Sequence, residues 1–423
     1  MQKLNTKRTI LTGLAFLSIC TFWQIYDSII PLILKEGFAI GDTLSGVIMA
    51  LDNVLALFLL PVLGALSDKT HTKLGRRMPY ILAGTACAVV FMMLLPVSTK
   101  ARNLPLFMAA LALTLLSMSL YRSPAVALMP DLTPKPLRSK GNAIINLMGA
   151  VGGVMALGFI TVMVPKTENP DYTVVFAAAA IVMVVSVTIL ALTIRENKMA
   201  VKDEPEEKER AESVPQRGLS APEKRSLVLI LASVFFWFMG YNAVTTAFSK
   251  YARAYWGLTG GAFAYTLIIA QAAAICAYLP VAALSQRIGR RKTILCGVTG
   301  LTLAFGAAVF FRSFNYGMFA LFALAGISWA AINVNSYPMV VELAKGADVG
   351  KYTGFYYTFS MAAQIITPIL SGFLLENAGY HTLFPYGAVC VAVSFFTMLF
   401  VRHGDAKTEK LFSKLEAFAS PDD

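Results

Sequence analysis

Residues Ser117–Leu147 read SMSLYRSPAVALMPDLTPKPLRSKGNAIINL, two apolar runs joined by a short loop dense in charge. The first run, Leu104–Pro130, is long enough to span a bilayer as a helix and carries one arginine, Arg122, in its interior. An ionised guanidinium at that depth costs at least ~2.5–3.5 kcal/mol on insertion scales, so it marks a buried ion pair or a substrate path. In the loop, Asp131, Lys135, Arg138 and Lys140 crowd between the runs. Pro130, Pro134 and Pro136 are expected to keep either helix from running through the turn.

Outward from this stretch the chain repeats the same pattern. It is 57% hydrophobic and only 14% charged, against about 25% charged in soluble domains, which makes it an integral membrane protein. Apolar runs of about 20 residues can be drawn twelve times, six between Thr9 and Ile194 and six between Ser226 and Val401. Arg195–Arg225, charged and broken by Pro205, Pro215 and Pro222, separates them as a linker. The expected organisation is a six-helix bundle over residues 1–194, the linker 195–225, a second bundle over 226–401 and a tail over 402–423. With the N-terminus inside, 28 of the 36 lysines and arginines fall in inner segments, 7 in outer loops and Arg122 in the membrane. Cytoplasmic loops keep the excess of both residues, so linker, tail and both termini are expected in the cytoplasm of a multi-pass cell-membrane protein. The net charge of +12 follows from that bias and calls for no nucleic-acid partner.

The five cysteines, Cys20, Cys87, Cys276, Cys296 and Cys390, all fall in apolar runs without CxxC spacing, so neither a disulfide framework nor a metal site is expected. The first apolar run continues past Cys20 for a full span, and no cleaved signal peptide is expected. The glycines of the fifth run, Gly149, Gly152, Gly153 and Gly158, have no preceding strand and read as packing contacts, not a nucleotide loop.

The two halves echo each other. LSDKTHTKLGRR at Leu66 returns as LSQRIGRRK at Leu284, and the acid ending the fourth run, Asp131, returns as Glu342 at the end of the tenth. The first copy, with Gly64, Asp68, Lys69, Gly75, Arg76 and Arg77, resembles the loop between helices two and three of the major facilitator superfamily, with a four-residue insertion seen in its sugar-carrier branch. Pro124–Gly153 resembles helices four and five of the sucrose–proton symporters, and the Leu66–Ile81 block resembles the glycoside–pentoside–hexuronide cation symporters as well. The resemblance implies an all-α fold of twelve transmembrane helices in two six-helix bundles. It also implies a carrier working as a monomer, in which the bundles rock about a midplane site.

The gate residues implied by that likeness are Asp68, Arg76, Arg77, Asp131 and Arg138 in the first half, and Arg290, Arg291 and Glu342 in the second. Gln286 replaces the acid in the second copy, so the first is expected to be the working lock, with Asp68 against the start of helix eleven near Lys351–Thr353. At helical spacing Trp23, Tyr26 and Asp27 share a face of the first helix: rings take the apolar side of a pyranose, and a carboxylate takes hydroxyls or a proton. Asp52 on helix two joins Arg122 as a further candidate. The three histidines lie in loops or tails, so a pH-linked step falls to a carboxylate. In the second half the candidates are Tyr241 and Asn242 on helix seven, Trp329 and Asn333 on helix ten, and Tyr357 and Gln364 on helix eleven.

Two departures from the likeness matter. The arginine and acid that the sucrose carriers place on helix four would fall on Val126 and Leu115, which leaves Arg122, one turn away, and Asp27 as replacements. The paired acids of the melibiose-type carriers would fall on Ala56 and Leu60, which disfavours sodium. The expected activity is therefore proton-coupled symport of a sugar or glycoside with no cofactor beyond the coupling ion. The alternative is a proton-driven exporter of a drug or metabolite. No HExxH, nucleotide loop or Ser/His pair within a span points to an enzyme.

Overall fold

The computed structural model describes residues 4–134, 137–167, 169–199, 219–343 and 349–405. Twelve long helices account for most of these residues: α1 (Thr6–Leu32), α2 (Asp42–Asp68), α3 (Met78–Lys100), α4 (Leu104–Leu132), α5 (Arg138–Met163) and α6 (Thr173–Thr193), then α7 (Ala221–Ala254), α8 (Ala264–Ile288), α9 (Arg290–Ala308), α10 (Gly317–Glu342), α11 (Val349–Asn377) and α12 (Leu383–Leu399). A single turn of helix, Glu196–Met199, follows α6. Eleven of the twelve are long and apolar enough to cross a membrane. The exception, α9, opens on Arg290, Arg291 and Lys292, yet it packs between α10 and α12. Large apolar side chains such as Phe58, Val162, Leu192 and Phe310 stand exposed on helix flanks, where lipid is their solvent.

The helix ends follow local chemistry. Asn5 and Asn103 cap α1 and α4 by accepting from the Arg8 and Leu106 amides at 3.1 and 3.0 Å. Ser220 and Glu223 form a capping box with Pro222 in the first turn, so α7 starts at Ala221 rather than the expected Ser226 and continues to Ala254 rather than Phe248. Neither helix runs through the proline-rich turn, as expected: Pro130 sits in the last turn of α4, and the chain leaves the helix at Thr133, held extended by the Pro134 that follows. Lys135, Pro136, linker residues 200–218 and the tail from 406 lie outside the described residues.

The packing repeats. Contacts of α1 with α5 and α6, of α3 with α4 and α6, and of α2 with α4 recur as α7 with α11 and α12, α9 with α10 and α12, and α8 with α10. Three pairs join the bundles: α1 with α7, α2 with α11 and α5 with α8. The last two are the same contact seen from either half, the sign of a twofold-like relation between two copies of one bundle.

We call the face with the start of α1 and the α2–α3 and α8–α9 turns proximal, and the opposite face distal. In the distal half the bundles meet backbone to backbone. A Cβ on Gly46 of α2 would lie 2.0 Å from the Pro368 carbonyl oxygen of α11, and one on Gly372 of α11 would lie 2.3 Å from the Asp42 carbonyl oxygen. Gly46→Ala is expected to part α2 from α11 by roughly an ångström or more, given ordinary contact distances. A cysteine at Met49, buried in the same seam, would then react faster with a thiol reagent applied from the distal side. Unchanged labelling would show that the helices absorb the methyl without parting.

Candidate functional site

The first bundle carries its charges at mid-span. On α1, Trp23 and Tyr26 meet edge to face at 5.4 Å, with Asp27 on the same side of the helix. The Arg122 guanidinium of α4 lies 5.7 Å from the centre of the Trp23 ring, a cation–π approach. Asp52 of α2 accepts from the Asn53 amide at 2.8 Å and lies within electrostatic reach of both Asp27 and Arg122. The expected cluster therefore assembles, from three helices. Among the described residues neither aspartate is within 4 Å of Arg122 as an ion pair, and Asp27 makes no hydrogen bond.

Arg122 is flanked by two anchors that sequence reading passed over. The Tyr121 hydroxyl donates to the Ala15 carbonyl at 3.0 Å and pairs with Ser18 Oγ at 2.7 Å, both on α1. Ser123 donates to the Leu60 carbonyl of α2 at 2.8 Å. One residue on either side of the arginine thus ties α4 to each of the helices that carry the aspartates.

The second bundle offers an uncharged, aromatic counterpart. Tyr241 of α7 and Trp329 of α10 stack in parallel, centroids 3.7 Å apart with 4° between planes, and Phe238 meets Trp329 edge on. Asn333, one turn on from Trp329, is buried with its Oδ1 unpartnered, as is the Trp237 indole nitrogen. Tyr357 lies among Tyr337 and Tyr356. Asn242 and Gln364 turn to their own helices, donating to the Phe238 carbonyl at 2.9 Å and the Ser360 carbonyl at 3.4 Å.

The distal face is closed by a charge cluster absent from the expected site. Asp42, at the start of α2 and 1% exposed, receives Lys250 of α7 at 2.9 Å, Lys35 at 2.8 Å and the Tyr380 hydroxyl at 3.0 Å. Beside it Arg253 of α7 pairs with Glu36 at 2.9 Å and donates to the Tyr172 hydroxyl at 3.0 Å, while Glu376 of α11 accepts from the Thr43 amide at 2.8 Å. Every ion pair that crosses between bundles among the described residues lies here.

Among the described residues, the ion pairs of the proximal face stay within one bundle. Asp131 receives Arg76 at 2.7 Å and Arg77 at 2.9 Å, and Arg77 also pairs with Asp68. Asp68 has no described bond to α11. Arg138 donates to the Thr133 carbonyl at 3.3 Å. The second bundle reproduces the arrangement with Arg290 paired to Glu342.

A third member of this repeat went unread in the sequence. Glu196, assigned to the linker, is 2% exposed and accepts from the Arg76, Arg77 and Met78 amides at 3.0–3.1 Å, capping α3. Its counterpart Asp405 accepts from the Arg291 amide at 3.2 Å, while Arg291 donates to the Leu399 carbonyl at 2.5 Å. Gly75, at φ +120°, leaves room for the cap: a Cβ there would lie 2.1 Å from a Glu196 carboxylate oxygen. Glu196→Ala strands the buried Arg77 and Met78 amides and the half-buried Arg76 amide, and a buried amide left unpaired costs about 1–3 kcal/mol. A lowered thermal midpoint in detergent is expected, with Glu196→Gln milder; equal midpoints for Glu196→Ala and the unaltered protein would remove the cap from the proximal structure.

Two related six-helix bundles, a charged cluster at mid-span and a seal at one face define an integral-membrane transporter. The sequence profile of the family described as MFS/sugar transport protein matches residues 17–403, and the chain belongs to that family. Its fold is similar to that of the xylose transporter XylE from E. coli in its inward-open conformation, at 14% identity over 95% of this chain and 97% of that one, TM-score 0.67. A bacterial homologue of the iron transporter ferroportin in its inward-facing state gives 13% identity over 94% and 99%, TM-score 0.70. A mutant of the nucleoside transporter NupG gives 13% over 93% and 98%, TM-score 0.68. At such identities the likeness defines the fold alone. No curated protein matches the chain by sequence.

Proposed function

We propose that the chain is a monomeric cell-membrane carrier that moves a sugar or glycoside together with a proton, by alternating access. The observation that carries this reading is the mid-span group of Asp27, Asp52 and Arg122 beside the Trp23 ring. A carboxylate without a fixed partner next to an aromatic ring supplies a proton carrier and a stacking surface together. The family description supports the solute class. The lysine and arginine count supports a cytoplasmic proximal face, and on that reading the conformation with a sealed distal face is the inward-open one. In the opposite conformation Asp68 leaves its exposed position and closes on the start of α11 near Lys351, opposing the distal cluster.

The test is proton movement in proteoliposomes holding a pH-sensitive dye, on addition of mono- and disaccharides with no imposed gradient. Acidification that depends on one of the sugars is the expected result. No response to any sugar, with alkalinisation when a lipophilic cation is driven in, would replace symport by proton-driven export.

A further inference from the structure

The seam between α5 and α8 holds a polar side chain that the mid-span cluster does not use. Gln271 of α8 carries a buried Oε1 with no hydrogen-bond partner among the described residues, and its carboxamide is pressed on α5: a Cβ on Gly153 would lie 2.5 Å from Gln271 Nε2. The neighbours of both residues fix this arrangement. Gly326 of α10 packs on the Ala270 carbonyl, where a Cβ would lie 1.9 Å from the oxygen. Gly152 of α5 packs on Leu17 of α1, and its own carbonyl receives Thr21 Oγ1 at 3.1 Å. These contacts also set the depth. Gln271 lies level with Thr21, two residues before Trp23, and with Gly326, three before Trp329. The amide therefore stands between the bundles, within about a turn of the Trp23 ring on one side and of the Tyr241–Trp329 stack on the other.

The internal repeat gives the residue a counterpart. Counted back from the LSDKTHTKLGRR/LSQRIGRRK echo, Gln271 falls where α2 has Asn53. Counted back from Asp131 and Glu342, Asn333 falls where α4 has Arg122. The second bundle thus repeats the charged site in amides. Asn53 is spent on its neighbour Asp52, whereas Gln271 and Asn333 each keep a buried oxygen without a partner. An amide that only glued helices together would bond a neighbouring helix, and a buried acceptor left unpaired is costly. A hydroxyl both donates and accepts, so it matches the two ends of a carboxamide.

We infer that Gln271 is a specificity-determining residue, whose carboxamide, held by Gly153 at the seam between the bundles, binds one hydroxyl of the solute. This rests on the reading of the chain as a sugar carrier. Recognition of that hydroxyl falls to the amide copy of the site, and coupling to the charged one. Gly153 has a part in it because any larger residue would push the carboxamide away from α5.

The experiment measures binding to the full chain in lipid nanodiscs by intrinsic tryptophan fluorescence. The probes are glucose, galactose, xylose, melibiose and sucrose, followed by the monodeoxy analogues of whichever binds most tightly. One deoxy position is expected to cost the parent about tenfold, the scale of one hydrogen bond. Gln271→Leu should lose about the same factor towards the full sugar and nothing further towards that one analogue. The other deoxy positions should keep the losses they cause in the parent. A merely structural role would weaken all the probes alike and leave every deoxy loss in place. That result, or affinities unchanged in Gln271→Leu, would overturn the assignment and leave the sugar reading standing. Binding of none of the five sugars by the parent would overturn both. If Gln271→Leu does not fold, Gly153→Ala, whose methyl displaces the carboxamide, replaces it and is read by the same loss of discrimination at one hydroxyl.

Discussion

Asp27→Asn is expected to reduce solute-driven acidification of proteoliposomes to the level of solute-free vesicles, while exchange of labelled for unlabelled solute across the same membrane continues. The expectation comes from what the carboxylate lacks. Asp27 sits at mid-span on α1, the most enclosed helix of its bundle, and has no hydrogen bond and no ion pair to Arg122 among the described residues. A carboxylate serving as a static counter-ion would be bonded to its cation, and one serving as helix glue would reach a neighbouring backbone. Asparagine keeps the shape and removes the proton site, so coupling should fail before binding does. Exchange needs the site and the rocking motion but no net proton transfer, which separates the two. Asp52→Asn should be less severe, because Asp52 already shares its charge with the Asn53 amide at 2.8 Å. Retained acidification in Asp27→Asn together with loss in Asp52→Asn would move the coupling proton to α2.

Much of the fold could be read from the chain because a bilayer leaves few choices: apolar length gives the spans, and the LSDKTHTKLGRR/LSQRIGRRK echo gives the duplication. The mid-span site was legible for the same reason, since charge in an apolar run stands out, and Trp23, Asp27, Asp52 and Arg122 do converge. What was not legible lies at helix ends. Glu196 looked like one acid in a charged linker, and nothing in its neighbours shows that a helix start 120 residues earlier lacks a cap. Lys250 and Arg253 looked like loop charges because α7 was expected to stop at Phe248; a capping box at one end and a longer helix at the other put both inside the bundle interface. Asn242 and Gln364 show a different limit. An amide in an apolar run looks like a ligand group, and whether it turns to its own backbone is decided by rotamer and packing, which spacing does not encode.

The distal cluster yields the largest conformational effect. Lys250 is buried, and its ammonium meets Asp42 at 2.9 Å, with Lys35 on the other carboxylate oxygen and Tyr380 bridging. Asp42→Ala leaves a buried ammonium beside a second one with no bonded counter-charge, only the more distant Glu376 carboxylate. Breaking such a pair from one side typically costs about 3–5 kcal/mol. That penalty falls on the closed distal face alone, since opening it returns both lysines to water. A bias of about 5.5 kcal/mol carries a two-state equilibrium from 1:99 to 99:1, so this one substitution approaches a complete switch. A cysteine at Met49, in a variant with the five native cysteines replaced, should pass from slow to fast labelling by a membrane-impermeant reagent applied from the distal side. Removing the stranded charge as well, in Asp42→Ala with Lys250→Ala, should restore much of the slow labelling, because two neutral residues bear no desolvation penalty. Arg253 and Glu36 remain in the double variant and keep the seam aligned. Were the single and double variants equally fast, the seal would owe its strength to the backbone contact of Gly46 with Pro368 rather than to charge. Were both as slow as the parent, Asp42 would be a passenger in a face held shut by packing.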